Sequence, residues 1–213
     1  LLSEAGHQVT TPLLKKLPEY IEGVRAERVR LLAKYAEIVE DCRFGSHQFI
    51  ELARGNFDLL CHHAAQVGDY RSPDFDIAGA LAANTSNLRQ VLAAGQFKGV
   101  VYTGSVFESN EGVGTLPLVA FSPYGLSKSL TAQVVEHGCR EAGIAYGKFV
   151  IPNPFGPMEE PRFCSYLVRT WKAGEVAKVN TPAYVRDNIH VRLLGLAYVR
   201  YAEEIAAGRG TAK

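Results

Sequence analysis

Phe97-Lys98-Gly99-Val100-Val101-Tyr102-Thr103-Gly104-Ser105-Val106-Phe107-Glu108 reads as a buried strand running into a hydroxyl-rich loop. Its apolar centre shows no alternating polar face, the pattern of a strand covered on both sides in a parallel sheet. Two runs of the same character flank it. Residues 57–62 form one, followed by the small pair Ala64-Ala65, and residues 145–151 form the other. A helix precedes the last run. Ser122 is suited to cap it and Pro123 to its first position; Leu126, Leu130 and Val134 keep the helical period, and Gly143 ends it. Strands alternating with helices in this way call for crossover connections and a parallel sheet.

Tyr124 and Lys128 lie four residues apart in that helix and so share one face. An ammonium beside a phenol favours the phenolate and is expected to lower a pKa that is ordinarily about 10. A general base for alcohol oxidation needs such a group. The same spacing also occurs on plain helix surfaces.

The composition narrows the class. The chain has 213 residues, 47% of them hydrophobic and 21% charged, which suits one full core or a large and a small lobe. A formal net charge of +1 makes no electrostatic case for nucleic acid or an acidic membrane surface. Cys42, Cys61, Cys139 and Cys164 form no Cys-x-x-Cys pair and read as reduced core thiols. No apolar run approaches the roughly 20 residues that span a bilayer, and Leu1 to Gly6 does not resemble a signal peptide. The expected location is the cytoplasm. His62 and His63 point to opposite faces of a strand and cannot chelate one ion together, so no metal site is expected.

Outward from the centre, the expected elements are a helix tail over 1–5, strands at 7–11 and 35–40, and loop with a short helix over 15–33. A helix follows at 46–54, and a long one at 76–94 is closed by Gly95. Residues 109–121 form a loop. A helix at 161–173, a short strand at 175–179 and a final helix at 189–207 complete the chain. Gly112-Val113-Gly114 neither follows a strand nor opens a helix, so it does not read as a phosphate loop.

Five ordered motifs go further: His62-His63-Ala64-Ala65; Asn84 in its helix; Thr103 ahead of Val106-Phe107; Tyr124 with Lys128; and Asn153-Pro154-Phe155-Gly156-Pro157 paired with Arg186-Asp187-Asn188-Ile189-His190-Val191. Over residues 36–200 the chain resembles the extended short-chain dehydrogenase/reductase family, the NAD(P)-dependent epimerase/dehydratase group acting mainly on nucleotide sugars. The resemblance implies a Rossmann-like, doubly wound α/β fold. A cofactor domain would cover 1–152 and a small, partly interwoven substrate lobe 153–213. The family's opening strand and Gly-rich turn are not seen in this sequence, and a partial chain is the expected reason.

The resemblance also implies roles. Tyr124 would exchange a proton with a substrate hydroxyl, and Lys128 would bind the nicotinamide ribose. Thr103, with Ser105 as a second candidate, would hydrogen-bond the reacting oxygen. His62, Ala64 and Ala65 would line NAD or NADP, Asp41 would face the adenine, and Asn84 would order the site. Asn153 and Arg186 would hold a substrate diphosphate, while Asp187 and His190 tie down the local turn. Lys15 and Lys16 lean towards NADP, whereas the family's epimerases retain NAD. Gly104-Ser105 stands where sugar dehydratases carry two acids, which disfavours dehydration and leaves epimerisation or reduction. Trp171 and Tyr166 are expected to pack in the core rather than line a base pocket. The family's homodimer would use Leu81, Val134 and Val135, residues that could equally face the sheet. The alternatives are a reductase of a non-nucleotide carbonyl compound and a non-catalytic NAD(P)-binding sensor or scaffold.

Overall fold

The computed structural model describes residues 1–210. In chain order its elements are β1 (Thr10–Pro12), a single 3-10 turn, α1 (Gly23–Leu32), β2 (Glu37–Val39), α2 (His47–Ala53), β3 (Leu59–His62), α3 (Ile77–Asn84) and α4 (Leu88–Ala94). Then come β4 (Gly99–Ser105), α5 (Pro123–Ala142), β5 (Ala145–Ile151), β6 (Asn153–Phe155), α6 (Phe163–Lys172), β7 (Asn188–His190) and α7 (Val191–Ala206). Among the described residues every strand pairing is parallel: β1 with β2, β3–β4–β5 in that order, and β6 with β7. No helix among them is long and apolar enough to cross a membrane.

The three-stranded sheet β3–β4–β5 carries the core on both faces. Alternation along β4 sends Val100 and Tyr102 into a cluster with Phe44, Phe49, Val91, Leu92 and Val135, beneath α2, α4 and α5. Val101 faces the other way, onto Tyr198, Ala202 and Ile205 of α7. This double cover explains why β4 shows no polar face in the sequence. The α5 helix behaves as its sequence suggests. Ser122 Oγ accepts from Gly125 N at 3.2 Å, and Gly143 closes the helix at φ 67°, in the left-handed region that glycine tolerates best.

Several expectations fail locally. Residues 76–94 form two helices, because Asn87 adopts φ 49° and donates from Nδ2 to the Gly45 carbonyl at 2.8 Å. That tertiary bond leaves no trace in local propensity. Residues 175–179 form no strand: Glu175 N bonds back to Thr170 O, and Lys178 N donates to the Tyr166 hydroxyl. The last helix starts at Val191 rather than 189, since Asn188–His190 pairs with Asn153–Phe155 and His190 Nδ1 caps Arg192 N at 3.2 Å. Leu1–Ala5 forms turns rather than a helix tail. Trp171 is 60% exposed, so it does not pack in the core. Val135 is fully buried against the sheet and offers no outer seam, while Val134 is exposed.

The sheet is divided. β1 pairs only with β2, and β3 only with β4, among the described residues. Between β1 and β3 runs a cleft of ≈ 2230 Å³, lined among others by Thr11, Pro12, Cys61 and Ala64.

Candidate active site

The end of β4 and the first turns of α5 place Lys128 and Tyr124 on one side of the sheet, while the Thr103 side chain turns to the α7 side. Lys128 is 3% exposed. Its Nζ donates to the Thr103 carbonyl at 2.7 Å and lies 4.3 Å from the centroid of the Tyr102 ring. Tyr102 in turn donates its hydroxyl to Lys128 O at 3.0 Å, so strand and helix clasp each other at this point. Burial pushes the Lys128 pKa down to about 8, partly offset by Glu108 and reinforced by Lys148.

Tyr124 stands half-buried one turn earlier, its ring edge-on to Tyr70 at 5.9 Å and to Phe75 at 5.8 Å. Its pKa is raised rather than lowered, first by burial and then by the charge of Glu108 and by Tyr70. This corrects the expectation from helix spacing. In this state the Lys128 ammonium is turned onto the Thr103 carbonyl and the Tyr102 ring, and it does not offset the desolvation of the phenol.

Thr103 is buried, and its Oγ1 lies 2.7 Å from His63 Nδ1. His63 also packs against Tyr198, with ring centroids 5.0 Å apart. No motif in the sequence gives His63 this part. The residues 62 and 63 alternate across the strand, which puts His63 beside Thr103 and Tyr198 and His62 on the other face. There His62 lies tilted against Phe44, ring centroids 4.3 Å apart, and donates from Nε2 to the Asn84 carbonyl at 2.8 Å. A carbonyl only accepts, so Nε2 carries the proton; Nδ1 has no partner among the described residues. Burial holds the His62 pKa down at about 4, so the ring is neutral at pH 7. Asn84 is nearly fully buried; its Oδ1 accepts from Gln66 N at 2.8 Å, just past Ala64 and Ala65, and its Nδ2 reaches Thr131 Oγ1 of α5 at 3.4 Å.

Ser105 belongs to a turn. Its Oγ accepts from Phe107 N, and its own N–H donates to Glu108 Oε1 at 2.7 Å. Glu108 is a site residue that no motif signalled. It is 1% exposed and paired with Lys148 at 2.8 Å, and Lys148 also meets Glu111 at 2.6 Å. A Cβ on Gly104 would come within 2.9 Å of both Glu108 Oε1 and Lys148 Cε. The glycine at that position therefore makes room for a buried ion pair beneath the site.

His62, Ala64, Ala65 and Asn84 all line the cleft between β1 and β3, whereas Asp41 stands exposed beyond β2 at φ 51°, next to the cleft residue Cys42. The small side chains after β3 allow a planar ligand to approach the backbone. These residues are compatible with one end of a dinucleotide in the cleft. The described glycines provide no Gly-rich strand-to-helix turn beside it for the pyrophosphate. Asn153 and Arg186 are brought together by β6 and β7: Arg186 donates to Asn153 Oδ1 at 3.2 Å and lies over the Tyr184 ring at 4.4 Å.

Comparison with known proteins bears on the family and the fold. The model of the NAD dependent epimerase/dehydratase family matches residues 13–211. No curated protein sequence matches the chain. Among solved structures, similar folds include a UDP-glucuronic acid 4-epimerase from Bacillus cereus (15% identity, TM-score 0.66, 94% of this chain and 67% of that one). A UDP-glucose 4-epimerase from Thermotoga maritima is similar at 21% identity and TM-score 0.65, over 94% of this chain and 66% of that one. The dTDP-glucose 4,6-dehydratase DesIV from Streptomyces venezuelae is similar at 20% identity and TM-score 0.63, over 93% of this chain. This chain spans 62% of the DesIV chain.

Proposed function

Because the chain belongs to the NAD dependent epimerase/dehydratase family, we propose that it oxidises or reduces a carbinol carbon of a nucleotide-linked sugar, as an epimerase or a reductase. The observation that carries this reading is the clasp between Lys128 and the end of β4, with Tyr124 held one helical turn away between Tyr70 and Phe75. Bound NAD would supply the hydride acceptor and donor.

Every other task falls to the chain. Ala64, Ala65 and Asn84 hold the nicotinamide end of the cleft, and Lys128 turns from the Thr103 carbonyl towards the ribose. Tyr124 takes the proton from the substrate hydroxyl and returns it. Its raised pKa makes it a strong base once charged, so the Lys128 ammonium must approach it in the loaded state. Thr103 anchors Lys128 through its backbone carbonyl, while its hydroxyl is held by His63 on the α7 side of β4. Asn153 and Arg186 hold the diphosphate; a guanidinium suits it through its forked donors. Gly104-Ser105 carries no carboxylate for elimination, which favours epimerisation or reduction over dehydration.

The test is hydride exchange with NAD, followed by the absorbance of the reduced nicotinamide. Tyr124→Phe is expected to lower turnover by about 10³-fold or more while cofactor affinity stays within about twofold. Near-normal turnover in that variant would remove Tyr124 as the acid/base. Absence of any saturable NAD or NADP binding would leave the sensor or scaffold reading without support as well.

A further inference from the structure

In front of α5 lies a recess of ≈ 680 Å³, separate from the cleft beside β3. Arg71, Arg162 and Arg186 line it from three different segments, and Phe107, Phe121 and Tyr70 give it an aromatic floor. No aspartate or glutamate lines it. Among the described residues none of the three arginines has a carboxylate partner. The nearby Glu159 is committed to Arg28 at 3.2 Å.

Two helices also begin at this recess. Ser122 and Pro123 open the 20-residue α5 there, and Arg162 and Phe163 open the 10-residue α6. A helix N-terminus presents about half a positive charge. The recess therefore offers three guanidiniums and two partial positive charges. The diphosphate of a nucleotide-linked neutral sugar brings only two negative charges.

The cations are also spread along the recess. Arg186 sits at the β6–β7 end with Asn153. Arg71 instead donates to the hydroxyl of Tyr70, whose ring is 5.9 Å from that of Tyr124. Arg71 is thus tied through Tyr70 to the acid/base candidate, whereas Arg186 is tied to Asn153.

We propose that Arg71 binds a carboxylate on the sugar, so that the substrate is a nucleotide-linked acidic sugar, a uronate, with the diphosphate held between Arg162 and Arg186. This rests on the nucleotide-sugar reading above. A guanidinium and a carboxylate form two parallel charge-assisted hydrogen bonds, which a neutral hydroxymethyl group cannot replace.

The experiment is a calorimetric titration of the full chain with UDP, UDP-glucose and UDP-glucuronate, with no turnover required. UDP-glucuronate is expected to bind about tenfold or more tighter than UDP-glucose. Arg71→Gln should bring the two within about twofold and leave UDP affinity nearly unchanged, while Arg71→Lys keeps part of the preference. Arg162→Gln should weaken all three ligands together.

Equal affinity for the two sugars overturns the proposal, as does a preference that survives in Arg71→Gln. If UDP binds without a preference between the sugars, only the acidic-sugar inference falls. If UDP itself does not bind, the nucleotide-sugar reading falls with it.

Discussion

β4 is buried along almost its whole length and α5 along one face, from Val100 to Thr103 and again over Ser127, Lys128, Ser129, Thr131 and Val135. From 151 to 190 no residue is buried. The two regions divide the proposed work. The acid/base candidates stand on the first, where a lysine, a glutamate and a histidine are held out of water by tight packing and specific partners. The residues expected to hold the substrate diphosphate stand on the second, joined by one pair of three-residue strands and a side-chain bond between Arg186 and Asn153. Groups that must hold or move a proton gain from a fixed, dry setting that shifts their pKa. Groups that must admit and release a charged ligand gain from exposure, because a buried guanidinium without its anion would be costly.

Breaking the buried side should be expensive. Glu108→Ala removes one of the two carboxylates on Lys148, strips Ser105 N–H of its acceptor and leaves a void, so a loss of about 2 kcal/mol in denaturant unfolding is expected. A loss under about 1 kcal/mol would mean that the core does not hold the site as described.

The pH dependence tests the same side. His62 has its pKa depressed to about 4 from the ordinary 6.5. Between those values the unfolded chain binds a proton that the folded chain refuses, so stability falls as pH drops from 6.5 to 4. This group contributes about 3 kcal/mol to that fall. His62→Gln, whose amide replaces the donor to Asn84, should take away about half of the fall over that window, because burial depresses the His63 pKa to about 4 as well. An unchanged slope would show that His62 is not the group responsible.

On the open side the signature reverses. Arg186→Ala should raise the KM for a nucleotide sugar by about 10- to 100-fold, with a stability change under about 1 kcal/mol. A large fall in thermal stability instead would give Arg186 a structural role and erase the contrast between the regions. The smallest effect is expected at Val176, which is 89% exposed. Val176→Ser should leave unfolding within about 0.5 kcal/mol of the parent.

Legibility followed the same divide. The strand at 145–151 and the helix closed by Gly143 were readable residue for residue, because a doubly covered strand is apolar throughout and a helix end carries its own cap and glycine. Residues 175–179 carry the composition of a strand with no sheet neighbour to pair with. The break at Asn87 and the pairing of 153–155 with 188–190 depend on contacts 42 and about 35 residues distant, which no local window contains.

The site shows this most sharply. Tyr124, Lys128 and Thr103 were visible as spacing and order. Glu108, Lys148 and the His63 contact were not, because nothing near them in the chain announces a partner.

By itself, then, the sequence determined the parallel α/β plan and the candidates Tyr124 and Lys128, since periodicity, capping and i,i+4 spacing are local properties. It also implied a lowered phenol pKa at Tyr124, and there the tertiary structure decided otherwise. Four residues of helix put the two groups on one face, but packing turned the Lys128 ammonium onto the Thr103 carbonyl and the Tyr102 ring. Where that charge points, and how dry the phenol is, are properties of the strands and helices around it.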